Sequence, residues 1–200
     1  MKSENGRSMV EMLGVLAIIG VLSVGAIAGY SKAMMKYKLN KHAEAVNMLI
    51  NNVLQIKGQL PYSAENYYGN LFKKMNLLPD GINYHSNTLL TDKWFKSRIT
   101  IYRGAGFGGA YFCIPKLSEN EEICRNIVLA AKENAADLWQ VKLIQYPETS
   151  AMIYGTPLWG NNYCSKDSKC LYNMTLNDTE AVCNECDGNN YCCVFVLYNE

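Results

Sequence analysis

From Met12 to Ala28 the chain carries no charged residue, and Arg7 on one side and Lys32 on the other bracket this run. With Gly29 and Tyr30 added, the apolar stretch approaches the roughly 20 residues that cross a bilayer as a helix. A secretory signal would have a shorter apolar core and a small-x-small cleavage site after it. Here Tyr30 to Lys36 follow without a turn residue, so the helix is expected to continue. Tyr30, Met34, Tyr37, Val46, Leu49, Ile50, Val53 and Leu54 recur at helical spacing. Asn40, Lys41 and His42 interrupt that stripe, and Gly58 and Pro61 end it. The result is a helix of about 50 residues, about 75 Å long at 1.5 Å per residue. Its second half needs a globular partner to cover the stripe.

The remaining pattern is mixed. Ser63 opens a shorter helical pattern with Tyr67, Tyr68, Leu71, Phe72 and Met75 on one face, stopped by Pro79-Asp80-Gly81. Arg98 to Tyr102 alternates as a strand does. The glycine-rich Gly104 to Gly109 leads into Ala110-Tyr111-Phe112-Cys113-Ile114. A dinucleotide loop must pass from strand into helix, so a hairpin is expected instead. Ser118-Glu119-Asn120-Glu121 has the form of a capping box, and Cys124, Ile127, Val128, Ala131 and Ala135 then share a helix face. Leu138 to Tyr146 and Tyr191 to Tyr198 read as further strands. The fold class expected is α+β, an antiparallel sheet packed on the long helix.

Composition narrows the function. The 200 residues suit one domain and a membrane segment, and 19 basic against 18 acidic residues leave a formal charge of +1. That balance gives no field for nucleic acid, and no basic run with interleaved aromatics is present. No Ser/His/Asp set or paired-carboxylate cluster stands out, so no enzyme is expected. All eight cysteines lie beyond residue 112, which points to disulfides in an oxidising compartment. Cys164, Cys170, Cys183, Cys186, Cys192 and Cys193 crowd a stretch rich in Asn, Asp and Gly. A region with so little core gains about 2–4 kcal/mol per crosslink. Cys192 and Cys193 face opposite sides of a strand and should take different partners; Cys113 with Cys124 is the expected separate bridge. Cys183-Asn184-Glu185-Cys186 is also half of a possible zinc or redox motif. Asp178, Asp187, Asn189 and Asn190 offer oxygen ligands of the kind calcium takes, with solvated loop residues as the plainer reading.

Glu11 is the most informative residue. A carboxylate just inside an apolar span is costly unless paired. Were Gly6 the end of a leader, cleavage would create an α-amino group on Arg7. Glu11 would then be the fifth mature residue, about one helical turn away. In a staggered array it would reach the terminus of a neighbouring copy. Gly6, Glu11 and the unbroken apolar helix together resemble the class III signal of type IV prepilins and related pseudopilins. The resemblance covers roughly the first quarter of the chain. It implies cleavage between Gly6 and Arg7 by a prepilin peptidase, methylation of the new Arg7 terminus, and pairing of Glu11 with a neighbour's terminus during assembly. Arg7 itself departs from the apolar first residue usual in the family.

Other features bear on that frame, one of them against it. Gly14, Gly25 and Gly29 would allow close helix packing, with Gly25 and Gly29 forming a small-xxx-small pair. Lys32, Lys36, Lys38 and Lys41 would place their flank in the cytoplasm by the positive-inside rule, whereas the cysteines require the opposite side. The division implied is a leader at 1–6, a transmembrane and filament-core helix at 7–30, its amphipathic continuation at 31–58, and a head at 59–200 with a Cys-rich region at 164–193. The head faintly resembles type IVb pilins, and its Cys-rich end the disulfide-bounded loop of pilins. Partners implied are membrane lipid, other copies or related pilins, the peptidase and an inner-membrane assembly platform. The location implied is the bacterial inner membrane for the precursor, then an extracellular pilus or a periplasm-spanning pseudopilus. The alternatives are a pseudopilin of a type II secretion system and, from another class, a membrane-anchored zinc or thiol-redox protein.

Overall fold

A computed structural model describes residues 9–61, 66–147, 151–186 and 191–199. The chain forms two compact units, Met1–Lys38 and Leu39–Glu200. Helix α1, Met9–Ile56, supplies residues to both.

The second unit contains helices α2 (Gly69–Lys74), α3 (Asn120–Glu133) and α4 (Leu176–Cys183). Its strands are β1 (Ile82–Tyr84), β2 (Leu90–Asp92), β3 (Arg98–Arg103), β4 (Phe107–Ile114), β5 (Gln140–Tyr146), β6 (Ile153–Tyr154), β7 (Leu158–Trp159), β8 (Lys169–Cys170) and β9 (Tyr191–Asn199). They form one sheet in the order β1-β2-β3-β4-β9-β5-β7-β8, with β6 beside β5. All pairs are antiparallel except β7 with β8. The wholly antiparallel sheet expected from sequence is therefore mixed. The exception is a two-residue pair reached through a 3-10 turn at Asn161–Tyr163.

One face of the sheet is the core. Ile99, Ile101, Phe112, Ile114, Val194 and Val141 are fully buried there. Over them lies the second half of α1, whose Val46, Leu49, Ile50 and Val53 are buried. Ile50, Val53 and Leu54 meet Ala110, Leu138, Val196 and Tyr198 along one apolar seam. Helix α3 adds Ile123, Ile127 and Val128. Each such side chain contributes about 1.5–3 kcal/mol of burial.

The β3–β4 hairpin forms as expected, with Arg98 opposite Cys113 and Arg103 opposite Gly108. Gly106, at φ +85°, makes its turn, a conformation that glycine adopts without steric cost. Three local expectations are corrected. The helical pattern from Ser63 yields α2 only from Gly69. Residues 62–65 lie outside the described set, Asn66 has φ +55°, and Tyr67 bridges to Tyr102 of the sheet. The box at Ser118–Glu121 does not form: α3 starts at Asn120, whose Oδ1 accepts from the Leu117 N–H at 3.2 Å, and Glu119 at the N-cap makes no capping bond. The capping box is instead Thr175 with Asp178, at the start of α4.

His42 is the third correction. It does not break the stripe of α1 but belongs to it, fully buried. Its ring stands edge-on to Phe95 at 5.5 Å, and Asn126 of α3 lies 3.4 Å from Nδ1. Asp92 caps the loop beside it, accepting from the N–H groups of Trp94, Phe95 and Ser97 at 2.6–2.9 Å. Burial pulls the His42 pKa down to about 4, against a smaller upward pull from Asp92.

Candidate functional site

The first unit is built from composition rather than periodicity. Met9 and every residue from Glu11 to Ala33 are exposed. The most apolar window has a mean hydropathy of 2.4, and none of it is buried within the chain. Leu16, Val21, Leu22, Val24 and Ile27 are each more than 60% exposed. A helix that is apolar all round is at rest in lipid or among other apolar helices. Its length and composition suit a membrane anchor or a signal. Ser23, the polar residue of the run, donates its hydroxyl to the Ile19 carbonyl at 2.7 Å, which satisfies it inside the helix.

Glu11 lies in the first turn of α1 and is exposed. At 100° per residue, Gly14, Gly25 and Gly29 fall within about 60° of it around the helix axis. Acid and glycines thus share one stripe, while Gly20 falls on the opposite side. A Cβ added at Gly14, Gly25 or Gly29 would meet nothing within 4 Å. No contact among the described residues therefore requires these glycines, although each costs about 1 kcal/mol relative to alanine in a helix. Gly6 and Arg7, the expected cleavage and methylation positions, lie outside the described residues.

The eight cysteines are all paired. Cys113 joins Cys193, Cys124 joins Cys183, Cys164 joins Cys170 and Cys186 joins Cys192. The expected Cys113–Cys124 bridge is overturned. β4 runs beside β9 with Cys113 directly opposite Cys193, Cα atoms 3.9 Å apart. Cys124 sits on the buried face of α3, where α4 brings Cys183 to 5.7 Å between Cα atoms. Cys192 and Cys193 do take different partners, as their opposed directions require. Cys183 and Cys186 are bonded elsewhere, so they form neither a dithiol nor half of a zinc site. Asp178, a candidate calcium ligand, accepts from the Thr175 N–H and hydroxyl at 2.8 and 2.6 Å. Those bonds hold its carboxyl below the usual range. Asp187, Asn189 and Asn190 lie outside the described residues. Among the described residues no group of three or more His, Cys, Asp or Glu could hold a metal.

Sequence reading missed a second feature, the outward face of the sheet, which carries a row of aromatic rings. The signal was there: in the strands, Tyr102, Phe107, Tyr111 and Phe195 hold the positions alternate to the aliphatic core residues. Searches against family models, curated proteins and solved structures return no match to this chain.

Proposed function

We propose that this chain is a structural subunit of a type IV pilus or a related filament. The observation that carries the reading is Glu11: one acid near the start of an apolar helix exposed on all sides, on the same stripe as three glycines that no contact among the described residues requires. In this account the leader ends at Gly6 and cleavage leaves an α-amine on Arg7. The helix then rests in the inner membrane, where a charged side chain at the bilayer centre costs about 2.5–3.5 kcal/mol by insertion scales. Glu11 sits near the end of the span, where that cost is smaller.

Assembly moves the helix from lipid into a bundle of its own kind. Lipid tails are as apolar as leucine, so burial alone drives little of that step. Two features supply direction. The Glu11 carboxylate meets the amine of a neighbouring copy, which neutralises both charges in an apolar setting and sets the axial step. Gly14, Gly25 and Gly29 let the backbones approach on that side. The crosslinked head, too large and too polar to enter the bundle, forms the outer surface. All roles assigned here are structural.

N-terminal mass spectrometry of the protein purified from membranes tests the first half of the reading. A start at Arg7 supports it, and a chain still carrying Met1 to Gly6 overturns it. Glu11→Ala tests the second half. The variant is expected in the membrane at normal abundance and absent from sheared fibres; a normal fibre yield would sink the pairing mechanism.

A further inference from the structure

The sheet of the second unit has its helices on one side. The other side is lined by rings. Trp159 and Trp139 are 6.2 Å apart between centroids, Trp139 and Phe107 6.1 Å, Phe107 and Tyr102 5.8 Å, Tyr102 and Tyr111 5.5 Å, and Tyr111 and Phe195 4.5 Å. All six are half-buried. Five of the rings lie in β3, β4, β9 and β7, and Trp139 immediately precedes β5. Since β3, β4, β9, β5 and β7 are consecutive neighbours, the row extends across four strand spacings, about 19 Å.

Among the described strand residues, charge on this face has one sign. Arg98 projects on it from β3 and Lys142 from β5, and among the described residues neither is in an ion pair. Thr100, Tyr111, Phe195 and Lys142 form one cross-strand row. None of the outward-facing residues of β3, β4, β9 and β5 is acidic. In the adjoining row Gln140, opposite Trp159, is buried, and its Oε1 has no donor among the described residues. Burial, helped by neighbouring phenols, holds the Tyr111 pKa far above the ordinary tyrosine range, so this hydroxyl remains a donor.

We propose that this face binds an acidic oligosaccharide, a chain of sugars carrying carboxylates. Pyranose rings present flat C–H faces that pack on aromatic faces, and their rims are hydroxyls that both donate and accept. A row of half-buried rings interleaved with tyrosine, threonine and amide groups matches both. The carboxylates complement Arg98 and Lys142, and the length of the row suits an extended oligomer over a single sugar. A second copy of the same face would bring like charges together, which is destabilising. Single-stranded nucleic acid would stack on the rings, but it needs a basic groove tracking its phosphates, and two cations on a chain of net charge +1 do not make one. The inference is independent of the filament reading.

The test uses the full chain in detergent, with oligomers of a polyuronate as probe and a neutral glucan oligomer and an oligothymidylate as controls. Trp139 and Trp159 report by fluorescence. Expected are saturable quenching by the polyuronate, about tenfold weaker binding of the neutral glucan, and about tenfold loss on Lys142→Gln or Trp159→Ala with unfolding temperature unchanged. No quenching by the polyuronate overturns the proposal, as does equal or tighter binding of oligothymidylate, or full retention of binding in a folded Lys142→Gln. Should Trp159→Ala fail to fold, Lys142→Gln and the wild-type controls decide alone.

Discussion

Helix α1 is one continuous element that meets two kinds of surroundings. From Leu13 to Ile27 its leucines, valines and isoleucines are exposed on every side. After Leu39 the same residue types occur as a stripe, and His42, Ala45, Val46, Leu49, Ile50 and Val53 are buried. In the first unit composition alone specifies where the helix is at rest, and position around the axis matters only for Glu11 and its glycines. In the second, position around the axis is what counts, since a slip of one or two residues, about 100–200° around the axis, would put Asn47 or Asn51 where Leu49 and Ile50 belong. A helix can thus be hydrophobic twice, once for a solvent and once for a partner.

That contrast can be broken from both ends. The largest effect is expected from the crosslinks that make the second unit a fixed partner. Cys124–Cys183 closes a separation of 59 residues, so replacing both by alanine should cost about 4 kcal/mol in chemical unfolding, within a wide range. The same change at Cys164 and Cys170, separated by 6, should cost about 2 kcal/mol. Equal losses at the two bridges would mean that chain entropy is not what they supply.

Next come two of the buried groups of α1. Leu49→Ala should lower stability by about 3 kcal/mol, whereas Leu16→Ala, an exposed position of the first unit, should leave the unfolding of the second unit within about 0.5 kcal/mol. His42 should make the second unit acid-sensitive. Its folded pKa is about 4 against an ordinary 6.5. Above pH 6.5 it is neutral folded or unfolded and contributes no slope. Between 6.5 and 4 the unfolded chain binds the proton and the folded one does not, so stability falls as pH falls, by up to about 3 kcal/mol. Below 4 the slope ends. His42→Gln should flatten that window in a pH series of unfolding curves; an unchanged slope would place the acid sensitivity in another group.

The smallest effect sharpens the comparison most. Gly25→Ala should be neutral, or stabilising by about 1 kcal/mol, for the helix itself. It is expected to reduce fibre yield, because the added methyl would intrude where a neighbouring helix approaches. Unchanged fibres would remove the glycine stripe from the assembly account.

What could be read beforehand follows the same divide. Long patterns were legible: the apolar run, the stripe from Val46 to Leu54, the β3–β4 hairpin and β9 all carry their own periodicity. Elements of two or three residues, β1, β2, β6, β7 and β8, are too short to show any. Their existence depends on what the longer strands offer them. Cys113 and Cys124 are near neighbours in sequence, yet their partners were hidden in the strand order. That order places β9 next to β4, and α4 against α3, across separations of 80 and 59 residues. In the sequence His42 reads as a break, because a titratable side chain beside Lys41 looks solvated. Its burial follows from Phe95 and Asn126, which only the folded chain brings to it. The location of Glu11 within the apolar run was plain from sequence, and its placement on one stripe with the glycines needed only helix geometry.

The position of β9 has a consequence for synthesis. It is the last strand in sequence but lies in the middle of the sheet, between β4 and β5. Until it is made and delivered, β4 and β5 each keep a row of backbone donors and acceptors with no partner, the kind of border that recruits other chains. Maturation of this sheet is therefore a keystone process. The arch stands only when its final stone drops in, and any machinery that exports the chain from its N-terminal end must shield an open seam until then.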